Sequence, residues 1–216
     1  MKIKTAVGAA LLGLLIGAQA AGATGNSGEV QVKEPKTQFA ATYGRALPPV
    51  GFVNFCARNA NECKPQGGRA VKLAMSPERW NLIYQVNTYV NGKVAPVSDQ
   101  DLYGEPEYWA YPSDAGDCED YVLMKQRYLE GLGFARSALL ITVVLDEKNE
   151  GHAVLMVTTD EGDFVLDNRR NEIRRWADVD YTYLKRQSPR DPRQWVSLAR
   201  DSNTVASGNV AGGTEK

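Results

Sequence analysis

The hydrophobic period of this chain changes once, near residue 133, and that change confines it to folds in which helices and strands lie in separate blocks. Before the change the spacing is helical. Ser76-Pro77-Glu78-Arg79 offers an N-cap serine and a proline at the first helical position, and Trp80, Ile83, Tyr84, Asn87 and Val90 follow at helical intervals. Asn91-Gly92 is expected to stop that helix. A second helix is expected over residues 117–132, where Tyr121, Val122, Lys125, Tyr128, Leu129 and Leu132 form a mostly apolar stripe that Gly131 and Gly133 end. Beyond it, residues 138–145, 152–158 and 164–167 are β-branched and aliphatic runs broken by turn residues, with further strands expected at 181–186 and 195–198. The chain therefore reads as α+β, an N-terminal helical lobe packed on a C-terminal antiparallel β-sheet. Residues 50–59 read as a short helix, and residues 94–112, rich in Pro, Tyr, Asp and Gly, as a long connection.

The first residues read as an address rather than as part of that fold. Met1-Lys2-Ile3-Lys4 precedes an apolar run of about 13 residues and two A-x-A sites, at Ala18-Gln19-Ala20 and Ala21-Gly22-Ala23, which is the pattern of a secretory signal peptide over residues 1–23. The run is too short to span a bilayer, and no later stretch comes close, so the mature chain is expected to be soluble and periplasmic or secreted, without a membrane span. Residues 24–47 read as a flexible leader, 48–200 as one domain and 201–216 as a disordered, Gly-rich tail. Without Lys2 and Lys4 the chain holds 23 basic and 26 acidic residues, a net charge of −3, which argues against nucleic acid as a partner.

Three cysteines in an exported chain leave one thiol to be explained. Cys56 and Cys63, seven apart around a polar stretch, are the natural disulfide pair. Cys118 remains, in the first turn of the second helix, where unpaired N–H groups and the helix dipole favour a thiolate. Position alone fits inert burial equally well. The chain has a single histidine, His152, opening a strand after the turn Asn149-Glu150-Gly151, and a cysteine nucleophile needs a nearby base. Asp167, an acid after three apolar residues, is the preferred partner for the second ring nitrogen, with Asn168 and Asp163 in reserve. A turn centred on Glu161-Gly162 would set Asp167 opposite Met156, about 13 Å along the strand from His152, so contact calls for a bulge or a shifted turn.

Asp117, Glu119 and Asp120 crowd three carboxylates around the thiol. They raise its pKa unless a cation neutralises them, and hard oxygen ligands at this density suit Ca²⁺. Ordinary acids favouring a helix N-terminus give the same spacing, and spacing alone favours that reading.

At these residues the sequence resembles the bacterial transglutaminase-like cysteine proteinase family, which includes the LapG-type periplasmic proteases. The resemblance rests on Gly-Asp-Cys-Glu-Asp-Tyr at 116–121, Gly-His-Ala-Val-Leu at 151–155 and Val-Leu-Asp-Asn at 165–168. It implies a papain-like/transglutaminase-like fold, a triad falling on Cys118, His152 and Asp167, and calcium held by Asp117 and Glu119, with Asp120 beside them. It also implies a large surface adhesin as substrate and an inner-membrane receptor as regulator. Acyl transfer or deamidation at the same site, and a non-catalytic calcium-binding interaction module, are the competing readings.

Overall fold

The computed structural model describes residues 37–65 and 69–200. The expected signal peptide, the first part of the leader and the C-terminal tail lie outside them. The described residues run through β1 (Arg45–Ala46), α1 (Val50–Arg58), α2 (Pro77–Lys93), β2 (Ala95–Pro96), α3 (Asp99–Tyr103), β3 (Ala115–Gly116) and α4 (Cys118–Gly131). Then follow β4 (Leu139–Leu145), β5 (Gly151–Thr159), β6 (Gly162–Asp167), β7 (Arg170–Arg175), β8 (Thr182–Gln187) and β9 (Trp195–Ser197). Seven strands form one sheet in the order β1-β9-β8-β4-β5-β6-β7, every neighbouring pair antiparallel. This is the α+β arrangement of helices followed by an antiparallel sheet that the change of period predicts.

Both faces of the central strands are buried, which is why β4 and β5 read as nearly continuous apolar runs. Leu139, Ile141 and Val143 of β4, with Ala153, Leu155 and Val157 of β5, pack against Phe52, Phe55, Ile83, Val90, Val122 and Leu129 of the helices. The alternate residues Val144, Val154, Met156 and Val165 meet Ala40, Val179, Tyr181 and Tyr183 on the opposite face. Cys56 and Cys63 form a disulfide with Cα atoms 5.6 Å apart, tying the end of α1 to the loop after it.

Three expectations need correction, and one strand was not expected at all. The leader expectation runs too far, because within residues 37–47 Ala40 is buried, its N–H donates to Asp163 Oδ2 at 2.9 Å, and Arg45–Ala46 pairs with β9. A short strand of three residues at a sheet edge is covered in this way. Asn91-Gly92 does not stop α2, which continues to Lys93, because the Asn91 side chain donates to the carbonyls of Asp167 and Arg170 and holds this turn against the sheet. The connection 94–112 contains α3, capped by Ser98. Arg170–Arg175 pairs as an edge strand although its sequence carries no apolar alternation.

Candidate active site

Cys118 occupies the first position of α4, behind the N-cap Asp117, and is 7% exposed. The thiol donates to Glu119 Oε2 at 3.0 Å, and the backbone N–H of Ala153 lowers the thiol pKa slightly against larger opposing effects. Ala153 directly follows His152, so the strand that opens on the imidazole runs past the thiol. Burial, followed by the charges of Glu119 and Asp117, pushes the Cys118 thiol well above its usual range.

His152 Nε2 lies 3.0 Å from Asp167 Oδ1, with both side chains almost fully buried. The β5–β6 turn brings them together. Thr159 pairs with Gly162, so the turn residues are Asp160 and Glu161 rather than Glu161 and Gly162. Gly162 takes φ 128°, a backbone conformation open to glycine, and the Thr159 hydroxyl donates to the Gly162 carbonyl. With Leu155 opposite Leu166, continuing that register sets Asp167 across from Val154, two residues from His152 and on the same face, a diagonal spacing that long side chains bridge. The other end of the carboxylate is also held: the Tyr181 hydroxyl donates to Oδ2 at 2.7 Å, and the Arg169 N–H donates to Oδ1 at 3.1 Å. Burial by itself raises the Asp167 pKa, but the hydrogen bond and charge of His152, with the Tyr181 and Arg169 hydrogen bonds, hold the carboxyl far below the usual range. Asp163 is occupied elsewhere, accepting from Arg186 Nη1 at 3.1 Å and from Ala40. Asp167 is thus the acid that meets His152. The turn before β5 is fixed by Asp146, which accepts from the N–H groups of Lys148 and Glu150 and from Arg169 Nη1 at 2.7 Å.

The acids around the thiol form a larger cluster than the sequence reading gives. β2 and β3 pair in parallel, with Ala95 opposite Ala115, and this pairing carries α3 to the start of α4. The Asp99 N–H donates to Asp117 Oδ2 at 3.3 Å, and the Ala110 N–H to Asp120 Oδ1 at 2.7 Å. Asp117 and Glu119 stand with Cys118 in one group of potential ligand atoms, all within 4.8 Å of one another; Asp99, Asp117 and Asp120 form another. Glu107 adds a fifth carboxyl, 3.2 Å from Trp109 Nε1. Burial raises every one of these acids: Asp117 to about 6, Glu107 to about 8, Asp120 to about 9, Glu119 well above its range, and Asp99 more modestly. Each leaves one buried oxygen without a hydrogen-bond partner among the described residues. Asp99 and Glu107 fall in what the sequence reads as the long connection 94–112, and no spacing links them to Cys118.

Lys125, read from the sequence as part of an apolar stripe, is fully buried with no hydrogen-bond partner for Nζ among the described residues. Burial lowers its pKa to about 7 against the opposing charge of Asp167.

A buried thiol at a helix start and a buried histidine–aspartate pair on the sheet packed against that helix are the residue types that a thiol peptidase of the papain and transglutaminase kind uses. The comparison with family models agrees. Residues 42–203 match the model described as bacterial transglutaminase-like cysteine proteinase BTLCP, and the chain belongs to that family of cysteine peptidases. No curated protein matches the chain. Among solved structures, calcium-bound LapG of Legionella pneumophila is 22% identical, covering 60% of this chain and 74% of that one with a TM-score of 0.48. The EGTA-treated form of the same protein is 21% identical over 64% and 79%, also with a TM-score of 0.48.

Proposed function

We propose that this cysteine peptidase is exported and uses Cys118 as nucleophile, His152 as base and Asp167 as the acid that orients it. The observation that carries the reading is the 3.0 Å contact between His152 Nε2 and Asp167 Oδ1, with His152 on the strand that packs against α4, the helix that Cys118 opens. An Nε2–H donated to Asp167 leaves Nδ1 as the basic nitrogen. His152 takes the thiol proton through Nδ1, the sulfur attacks the peptide carbonyl, and the N–H of Cys118 at the helix start is a donor for the oxyanion. The imidazolium returns the proton to the leaving amine, and water then hydrolyses the thioester.

The buried acids support calcium as the cofactor. Five carboxyls with an orphaned oxygen apiece and, among the described residues, no buried cation hydrogen-bonded to them are a costly arrangement unless a cation completes it, and the carboxyl donors are all hard oxygen. Asp117 and Glu119 would hold the ion, with Asp120 and Asp99 beside them. With Asp117 and Glu119 as ligands, a cation would supply charge neutralisation, and Glu119 would no longer accept the thiol proton. The leader sequence supports a periplasmic or secreted location, and the resemblance to LapG-type proteases supports a large surface adhesin as substrate and an inner-membrane receptor as regulator. Incubation with the membrane-proximal region of such an adhesin should yield one cleavage that Cys118→Ala and EGTA each abolish. Cleavage that persists in Cys118→Ala would refute the assignment.

A further inference from the structure

Tyr181 stands just before β8 with its side chain on the sheet face that carries His152 and Asp167. Two of its contacts matter. Its hydroxyl donates to Asp167 Oδ2 at 2.7 Å, and its ring meets the His152 imidazole edge-on, with centroids 5.6 Å apart at an interplanar angle of 81°. The hydroxyl accepts in turn from Arg170 Nη2 at 3.3 Å, and Arg170 Nε lies 3.5 Å from the same Asp167 oxygen. Burial and the charge of Asp167 hold the phenol protonated, so it remains a donor.

We propose that Tyr181 is a positioning residue for the His152–Asp167 pair, with the hydroxyl fixing the carboxylate and the ring fixing the imidazole. The inference rests on the reading of Cys118, His152 and Asp167 given above. An aspartate beside a histidine can turn about its terminal torsion and exchange its oxygens, and each turn breaks the bond to Nε2. With Tyr181 on Oδ2 and the Arg169 N–H on Oδ1, the turn breaks two further hydrogen bonds. The ring is also set among Val144, Val154 and Val179, where phenylalanine would pack equally well. What packing does not explain is the hydroxyl's polar contacts, of which the bond donated to Asp167 at 2.7 Å is shorter than the one accepted from Arg170 at 3.3 Å.

Tyr181→Phe keeps the ring and removes the hydroxyl, and Tyr181→Leu removes both. The single histidine makes the first readout unambiguous: ¹⁵N NMR of the calcium-loaded protein near neutral pH should show one Nε2–H tautomer in the wild type and a mixture in Tyr181→Phe. Alkylation of Cys118 by iodoacetamide should slow about tenfold in Tyr181→Phe, the effect of one lost charge-assisted hydrogen bond, and further in Tyr181→Leu. The melting temperature of Tyr181→Phe should move by less than about 5 °C. A Tyr181→Phe protein with the wild-type tautomer and wild-type alkylation overturns the proposal, even if its melting temperature falls. An inert Cys118 in the wild type would instead overturn the reading of the site, and the tautomer measurement would still decide the role of Tyr181.

Discussion

His152 and Asp167 meet at 3.0 Å across adjacent strands although their backbones are two residues out of register. Only the side-chain torsions of the pair span that offset, so the contact depends on the carboxylate's charge and shape together. Asp167→Asn keeps the shape, but its amide presents N–H where an acceptor is needed or an oxygen of weaker basicity. Peptidase turnover should fall by about 10²–10⁴-fold with the fold retained. Turnover within twofold of wild type would show that Asp167 does not orient the histidine.

The orphaned oxygens of Asp99, Glu107, Asp117, Glu119 and Asp120 predict a thermal signature of metal binding. Calcium at a hundred times its dissociation constant adds about 2.7 kcal/mol to stability, or roughly 5–10 °C in melting temperature for a domain of this size. EGTA should remove that increment, and Asp117→Asn with Asp120→Asn should prevent it. Superimposable melting curves with calcium and with EGTA would remove the metal from the account.

Lys125 predicts a dependence on pH with a definite sign. Folding lowers its pKa to about 7, so between there and the ordinary lysine value the unfolded chain holds a proton that the folded chain has lost. Stability from this group is therefore poorest below about pH 7, where a charged ammonium is buried, and rises as pH climbs towards 10. Lys125→Met should raise stability by on the order of 3 kcal/mol near pH 6, with the gap narrowing towards pH 10. A destabilised Lys125→Met protein at pH 6 would mean that the ammonium has a partner that offsets its burial.

The Cys56–Cys63 bridge closes a short loop after α1, whose Phe52 and Phe55 are core residues. Replacing both cysteines with serine should cost about 2–3 kcal/mol. Alkylation of Cys118 should be unchanged, since the bridge lies outside the constellation. A loss of Cys118 reactivity at full stability would contradict that separation.

Much of this architecture was legible because local signals and burial agree. Ser76 caps α2 as its sequence predicts, accepting from the Arg79 N–H, and the apolar runs of β4 and β5 lie where both sheet faces are covered. What escaped the sequence depends on distant partners. The edge strand Arg170–Arg175 is polar because few side chains cover it, and it is a strand by virtue of pairing with β6. Asp99 and Glu107 join the acids at Cys118 through the parallel pairing of Ala95 with Ala115 and the chain that follows, which no local pattern encodes. The register of β5 on β6 turned on one residue of turn position, and a shift of one residue there moves Asp167 by two along β5.

Everything proposed for the site requires Cys118 to be a nucleophile activated by His152. Calcium-loaded protein treated with iodoacetamide near neutral pH, with the modified residue located by mass spectrometry, tests it most directly. Cys118 should be labelled faster than a free cysteine, and His152→Ala should bring the rate down to or below that of the free thiol. A Cys118 that resists labelling in the folded, calcium-loaded protein, or whose rate is unchanged in His152→Ala, would contradict it.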